Sequence, residues 1–323
     1  MSSFLSVAAS LQSQLALPVI AAPMFIVSQP ELVLAQCLSG IIGSFPALNA
    51  RPKELLDEWL TRLDTELGAA RVANPGQKIA PYAVNQIVHA SNDRLDHDMA
   101  LCVKHKVPLI ITSLRPPGDV VKEVHGYGGL VFHDVISVKH AQKAIGEGVD
   151  GLILVCAGAG GHAGTLSPFA LVSEVRRFWD GPIALSGAIS RGEHILAAQA
   201  LGADFAYIGT RFIATQEAAA NPEYKQALVD SSAADIVYSS YFTGVHGNYL
   251  RSSIVKQGLD PESLPVRDKS TMQLGASDAP VKAWKDIWGA GQGVGSIDSV
   301  DSAAELIARM KVEYAAARAR LSL

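Results

Sequence analysis

Val149-Asp150-Gly151-Leu152-Ile153-Leu154-Val155-Cys156-Ala157-Gly158-Ala159-Gly160-Gly161-His162-Ala163-Gly164-Thr165 is an apolar, β-branched run that stops at a glycine-rich loop holding one histidine. The run lacks the alternation of a half-exposed strand, as expected of a parallel strand covered on both faces. Gly158, Gly160, Gly161 and Gly164 remove side-chain bulk and permit positive φ, so the backbone can approach a planar or anionic ligand while the imidazole projects into it. A flexible linker would carry more Ser, Pro or charge at this place.

The same unit recurs along the chain. Val19 to Ala22, Ile41 to Phe45, Tyr82 to Val88, Leu109 to Ser113, Gly129 to His133, Leu152 to Cys156, Ile183 to Ser186 and Phe205 to Ile208 read as eight strands. Amphipathic stretches lie between them: Pro52 to Leu67, Asp93 to Lys104, Val138 to Gly146, Ala170 to Trp179 and Glu193 to Ala200. Eight β/α alternations point to an α/β fold, a (β/α)8 TIM barrel. An open doubly wound sheet is the runner-up, but no G-x-G-x-x-G follows the first strand. Residues 1–214 form the expected barrel. From about Thr215 to about Ala279 the chain is richer in Ser, Asp, Tyr and Pro and shows no β/α repeat, which reads as a smaller, mostly helical inserted domain. Residues 280–323 return to the barrel and end in an amphipathic helix, Ser302 to Ala319.

Composition narrows the function classes. The 323 residues are 49% hydrophobic, and 27 Lys and Arg against 31 Asp and Glu give a net charge of −4 without a basic run. Nothing here attracts a nucleic-acid backbone or an anionic membrane surface. Cys37, Cys102 and Cys156 are isolated in apolar surroundings, read as reduced, and offer no metal-ligand spacing. Phe4 to Ala22 is apolar but lacks a basic start and is interrupted by Gln12, Ser13 and Gln14, so it is not read as a secretion signal. No window reaches the length of a membrane span. A cytoplasmic enzyme is the expectation, with homo-oligomerisation left open.

In a barrel of this kind the residues just after each strand line the site. Here they are Ala22-Pro23-Met24, Asn85, His133-Asp134, the His162 loop, Ser186-Gly187-Ala188 and Gly209-Thr210-Arg211. The last two groups follow the seventh and eighth strands, where such barrels bind phosphate through backbone amides. Asp134 reads either as a site residue or as a cap of the helix from Val138, for which Ser137 competes. His133 reads as either a site or a core histidine. His246 lies among aromatics in the covering segment, and Trp284 and Trp288, four apart, read as one buried helix face.

Taken in order, Ala22-Pro23-Met24, Tyr82-Ala83-Val84-Asn85, the Gly-Gly-His-Ala-Gly loop, Ser186-Gly187-Ala188, Ile208-Gly209-Thr210-Arg211-Phe212 and Gly291-Gln292-Gly293 resemble the nitronate monooxygenase family, formerly 2-nitropropane dioxygenases. The resemblance runs from about residue 18 to about residue 295. It implies noncovalent FMN on a TIM barrel. It places Ala22, Pro23, Met24, Asn85, His133 and Gly161 at the flavin, and Ser186, Gly187, Gly209 and Thr210 at its phosphate. Gly291, Gln292 and Gly293 approach the same cofactor. His162 matches the family's active-site histidine, able to take the α-proton of a nitroalkane when neutral or to hold a nitronate when protonated. Some members carry a basic residue where this chain has Asp134.

The implied activity is oxidation of alkyl nitronates or nitroalkanes with molecular oxygen. The alternative is an NAD(P)H-dependent FMN reductase of quinones or enoyl thioesters, because barrel and flavin alone do not separate the two.

Overall fold

The computed structural model describes residues 3–267 and 284–322. The elements run α1 (Ser3–Ser13), β1 (Val19–Ala21), α2 (Pro30–Leu38), β2 (Gly43–Pro46), α3 (Leu55–Ala73), β3 (Tyr82–Val88), α4 (Leu95–Lys104), β4 (Leu109–Leu114), α5 (Gly118–Gly126), β5 (Leu130–Val135), α6 (Val138–Gly146) and β6 (Gly151–Val155). They continue with β7 (Gly161–His162), α7 (Pro168–Val175), β8 (Ile183–Ser186), α8 (Gly192–Leu201), β9 (Phe205–Ile208), α9 (Thr210–Ile213), α10 (Pro222–Val229), β10 (Ile236–Ser239), β11 (Gly247–Leu250), α11 (Arg251–Lys256) and α12 (Ala303–Arg320).

Eight parallel strands pair in the order β1-β9-β8-β6-β5-β4-β3-β2. The bridge Ile20↔Ile42, with Ala21 N–H donating to the Ile42 carbonyl at 2.8 Å, joins β1 to β2 and closes the barrel. Inside, Ile20, Ile42, Ile111, Phe132, Ile153 and Phe205 pack on one another. Val84, Ile110, Val131, Leu152 and Leu154 face the helix layer instead. Both strand faces are buried, which is why the sequence shows runs rather than alternation. The apolar N-terminal stretch has a structural use: Ala8 and Leu11 of α1, with Leu15 just after it, join the interior cluster and stop the amino end of the barrel.

Local chemistry sets the helix starts. Pro168 at the first turn of α7 begins that helix two residues before the predicted Ala170. Ser137 caps α6, its hydroxyl accepting from His140 N–H at 3.2 Å. That leaves Asp134 free of a capping role.

The segment after β9 adds α10, α11 and the hairpin β10–β11. The hairpin pairs antiparallel with β7 through Gly247↔His162 and Asn248↔Gly161. The predicted span from Thr215 to Ala279 runs partly outside the described residues. No described helix is long and apolar enough to cross a membrane.

Candidate active site

A cavity of about 1650 Å³ opens at the carboxyl ends of the strands. It exceeds the roughly 300–1,000 Å³ of an ordinary small-molecule pocket, so it has room for two ligands side by side. Of the residues named from the sequence, Ala22, Pro23, Met24, Asn85, Gly161, His162, Ser186, Gly187, Gly209, Thr210, Gly291 and Gly293 line it. His133 and Gln292 do not.

His133 is corrected by strand parity. Phe132 packs in the barrel interior and Asp134 lines the cavity, so the intervening side chain points to the helix layer. There His133 Nδ1 meets Thr112 Oγ1 at 2.8 Å, and burial pushes its imidazole down to about 4. It is a wall residue. Gln292 lies behind the His162 loop, where its backbone N–H donates to the Gly158 carbonyl at 2.9 Å.

The glycines of the rim divide into two kinds. Gly187 has φ +137°, and a Cβ there would stand 2.7 Å from the Ala157 carbonyl oxygen. A Cβ on Gly291 would stand 2.5 Å from the Gly158 oxygen, and one on Gly293 3.0 Å from the Ala188 backbone. The fold itself excludes side chains at these three places. Gly209 differs. Its φ of −111° suits any residue, and a Cβ would meet Ala22 Cβ at 3.3 Å and the Met24 sulfur at 3.7 Å. Glycine at 209 keeps the wall low at the cavity; a side chain there would need Ala22 to give by a few tenths of an ångström. Thr210 Oγ1 accepts from Gly291 N–H at 2.9 Å and ties the last two glycine segments together.

Arg211 turns away from the rim. Its guanidinium is buried and pairs with Asp301 at 3.0 Å, which fastens the eighth βα loop to the segment before α12. Its charge belongs to that joint, and the predicted phosphate role is not supplied by this side chain.

On the opposite side, Asn49 shapes the Pro23–Met24 loop by donating to the carbonyls of Met24 (3.0 Å) and Ser28 (2.8 Å) and accepting from Ile26 N–H (2.9 Å). Asn85 spends both amide hydrogens inside the wall, on the Ile111 carbonyl at 3.1 Å and Ser113 Oγ at 2.9 Å. Its Oδ1 remains as an acceptor at the cavity.

His162 stands where β7 meets the covering hairpin. Its Nε2 lies 2.9 Å from Thr243 Oγ1, and its ring meets Trp284 edge-on at 5.2 Å. Burial pushes the imidazole down to about 4, so it is neutral at pH 7. Thr243 donates its single hydroxyl proton to the Val245 carbonyl at 3.0 Å. With that proton spent, the ring proton falls to Nε2 and the Nδ1 lone pair stays unspent.

The covering segment is fastened to this loop. Asn248 Nδ2 donates to the Ala159 carbonyl at 2.6 Å, Tyr238 Oη to the Ala163 carbonyl at 2.9 Å, and Ala163 N–H to the His246 carbonyl at 3.3 Å. His246 itself stacks on Tyr238 at 5.1 Å and does not line the cavity.

Thr243 and Trp284 escaped the sequence reading. The two tryptophans are not one helix face: Trp284, at φ +69°, lines the cavity, while Trp288 stacks on Tyr224 at 5.0 Å. An i, i+4 spacing signals a shared face only in a helix, and this segment is a turn.

Comparison with known proteins places this geometry among relatives. The nitronate monooxygenase family model matches residues 9–313. A Mycobacterium tuberculosis protein named for monooxygenase activity is 31% identical over 65% of this chain and 60% of its own length. An octahydroindene carboxyl-CoA dehydrogenase of Rhodococcus jostii is 25% identical over 74% of this chain and 64% of its own. The chain thus spans somewhat less than two thirds of these two relatives. A nitronate monooxygenase of Paraburkholderia phytofirmans is 26% identical over 76% of each chain. Among solved structures, nitroalkane oxidase from Streptomyces ansochromogenes superposes with TM-score 0.78 at 24% identity, covering 97% of this chain and 99% of that one. FabK from Thermotoga maritima gives TM-score 0.76 at 22% identity, covering 98% of each. Both structures share the barrel.

Proposed function

This chain belongs to the nitronate monooxygenase family, and from that premise we propose that it oxidises alkyl nitronates or nitroalkanes with molecular oxygen, using FMN. The family's members are oxidoreductases acting on small molecules; the particular cofactor and substrate are our reading.

The residues present fit a flavin. The cavity has room for a cofactor beside a substrate, and the low wall at Gly209 leaves space where the fold does not demand it. Gly187, Gly209 and Thr210, with Ser186 alongside, would hold the phosphate. Pro23, Met24 and the free Oδ1 of Asn85 would meet the ring system. Bound there, the flavin supplies the electron transfer and the reaction with oxygen.

The observation that carries the reading is the neutral imidazole of His162 lining that cavity. A neutral imidazole accepts a proton, and it lacks the charge that would anchor a nitronate anion. His162 Nδ1 is therefore assigned the α-proton of a neutral nitroalkane, while Thr243 holds Nε2–H and Trp284 fixes the ring edge. Tyr241, Phe242 and Trp284 line the same cavity and give that transfer an aromatic surround.

Anaerobic mixing of the flavin-loaded protein tests this against the reductase alternative. Bleaching by propane-2-nitronate and not by NADH or NADPH is expected. Bleaching by a nicotinamide alone would replace the proposal with the reductase reading.

A further inference from the structure

Asp134 is a half-buried carboxyl lining the cavity. No Lys, Arg or His among the described residues forms an ion pair with it. It sits instead at the end of a polar line drawn across three neighbouring strands. Asn85 on β3 donates to Ser113 on β4 at 2.9 Å, and Ser113 Oγ donates to Asp134 Oδ2 on β5 at 2.5 Å. Tyr207 faces the carboxyl from β9, its own ionisation suppressed by burial and by the Asp134 charge. Val155 on β6 brings no charge, His133 on β5 points into the helix layer, and His140 on α6 and His162 on β7 share the cavity lining with Asp134.

Withdrawing a carboxylate from water is unfavourable, and a wall built only for stability would put an apolar residue there. Burial raises the carboxyl to about 6, against the lowering pull of Ser113 and the Leu114 backbone. The group thus stands mostly ionised at neutral pH, near the balance where one nearby negative charge protonates it.

We propose that Asp134 takes up a proton from solvent when negative charge enters the cavity, converting its carboxylate to the neutral acid and so keeping the floor from repelling that charge. The proposal rests on the reading above only in taking reduced flavin as the charge met in turnover. Electrons come from the reductant, and Asp134 gains a proton alone. In the acid form its O–H becomes a donor in a line that otherwise presents only acceptors to the cavity.

Infrared titration reads this directly, because a protonated carboxyl has a C=O band that a carboxylate lacks. In flavin-loaded protein, the band present in wild type and absent from Asp134→Asn should titrate near pH 6 when oxidised. After anaerobic photoreduction with a tertiary amine donor, its proton affinity should rise tenfold or more. Ser113→Ala removes a donor to the carboxylate and should raise the midpoint already in the oxidised protein. In protein without flavin, nitrate serves as a planar anion probe, and the same upward movement is expected. Retention of no flavin would overturn the cofactor reading, while the nitrate arm still reads Asp134. An Asp134-dependent band that is missing, or whose midpoint ignores the added negative charge, would overturn the proposal.

Discussion

Burial lowers the proton affinity of both His133 and His162, yet one belongs to the barrel wall and the other to the cavity. Burial pushes each imidazole down to about 4. His133 is 4% exposed and spends Nδ1 on Thr112 behind β5. His162 spends only Nε2, on Thr243, and turns its ring into the cavity beside Trp284. A perturbed acidity alone therefore does not mark a site. What distinguishes the pair is access: a base must have an unspent lone pair where a substrate can reach it.

The sharpest way to break this contrast is to truncate both. His162→Ala should keep its flavin and lose about 10²–10⁴-fold in turnover of a neutral nitroalkane, the usual worth of general-base assistance. With a preformed nitronate no proton remains to be removed, so the loss should be smaller. Steady-state rates with both substrates check this, and equal losses would deny the base role. His133→Asn should leave turnover within about twofold while lowering stability by about 1–3 kcal/mol, as the buried bond to Thr112 is disturbed. Urea denaturation and kinetics on one preparation test the two halves together.

The rim glycines extend the contrast from side chains to backbone. Gly209→Val should fold with a small stability change and bind FMN at least tenfold more weakly, seen by fluorescence quenching on flavin titration. Gly187→Ala should instead unfold at lower urea, by about 1–3 kcal/mol for the forbidden φ and the contact with Ala157. If the two variants exchanged effects, the division of the rim would be wrong.

Acidity gives the smallest and most diagnostic effect. Both imidazoles are proton-poor in the fold, whereas the unfolded chain binds protons below about 6.5. Their contribution to stability is complete above that pH and is lost as pH falls from about 6.5 toward 4. His133→Asn should flatten this slope without moving the activity profile. A slope unchanged in the variant would show that His133 does not carry its share.

The repeated apolar runs made the barrel legible, because strands covered on both faces need apolar residues at every position. The same property hid the facing of His133 and Asp134: without alternation, a doubly buried strand does not announce which side is interior. Gly187 and Gly209 look alike as letters, and only the surrounding backbone separates the one the fold requires from the one a ligand can use. Thr243 and Trp284 reach His162 from 81 and 122 positions away, so no local pattern places them there. The sequence by itself determined the eightfold β/α order, the glycine loops at the strand ends and the histidine among them, since propensity and turn chemistry act over a few residues. Tertiary structure alone decided which side chains face the cavity, which proton His162 holds and what covers it, because contacts between distant segments set burial, and burial sets acidity.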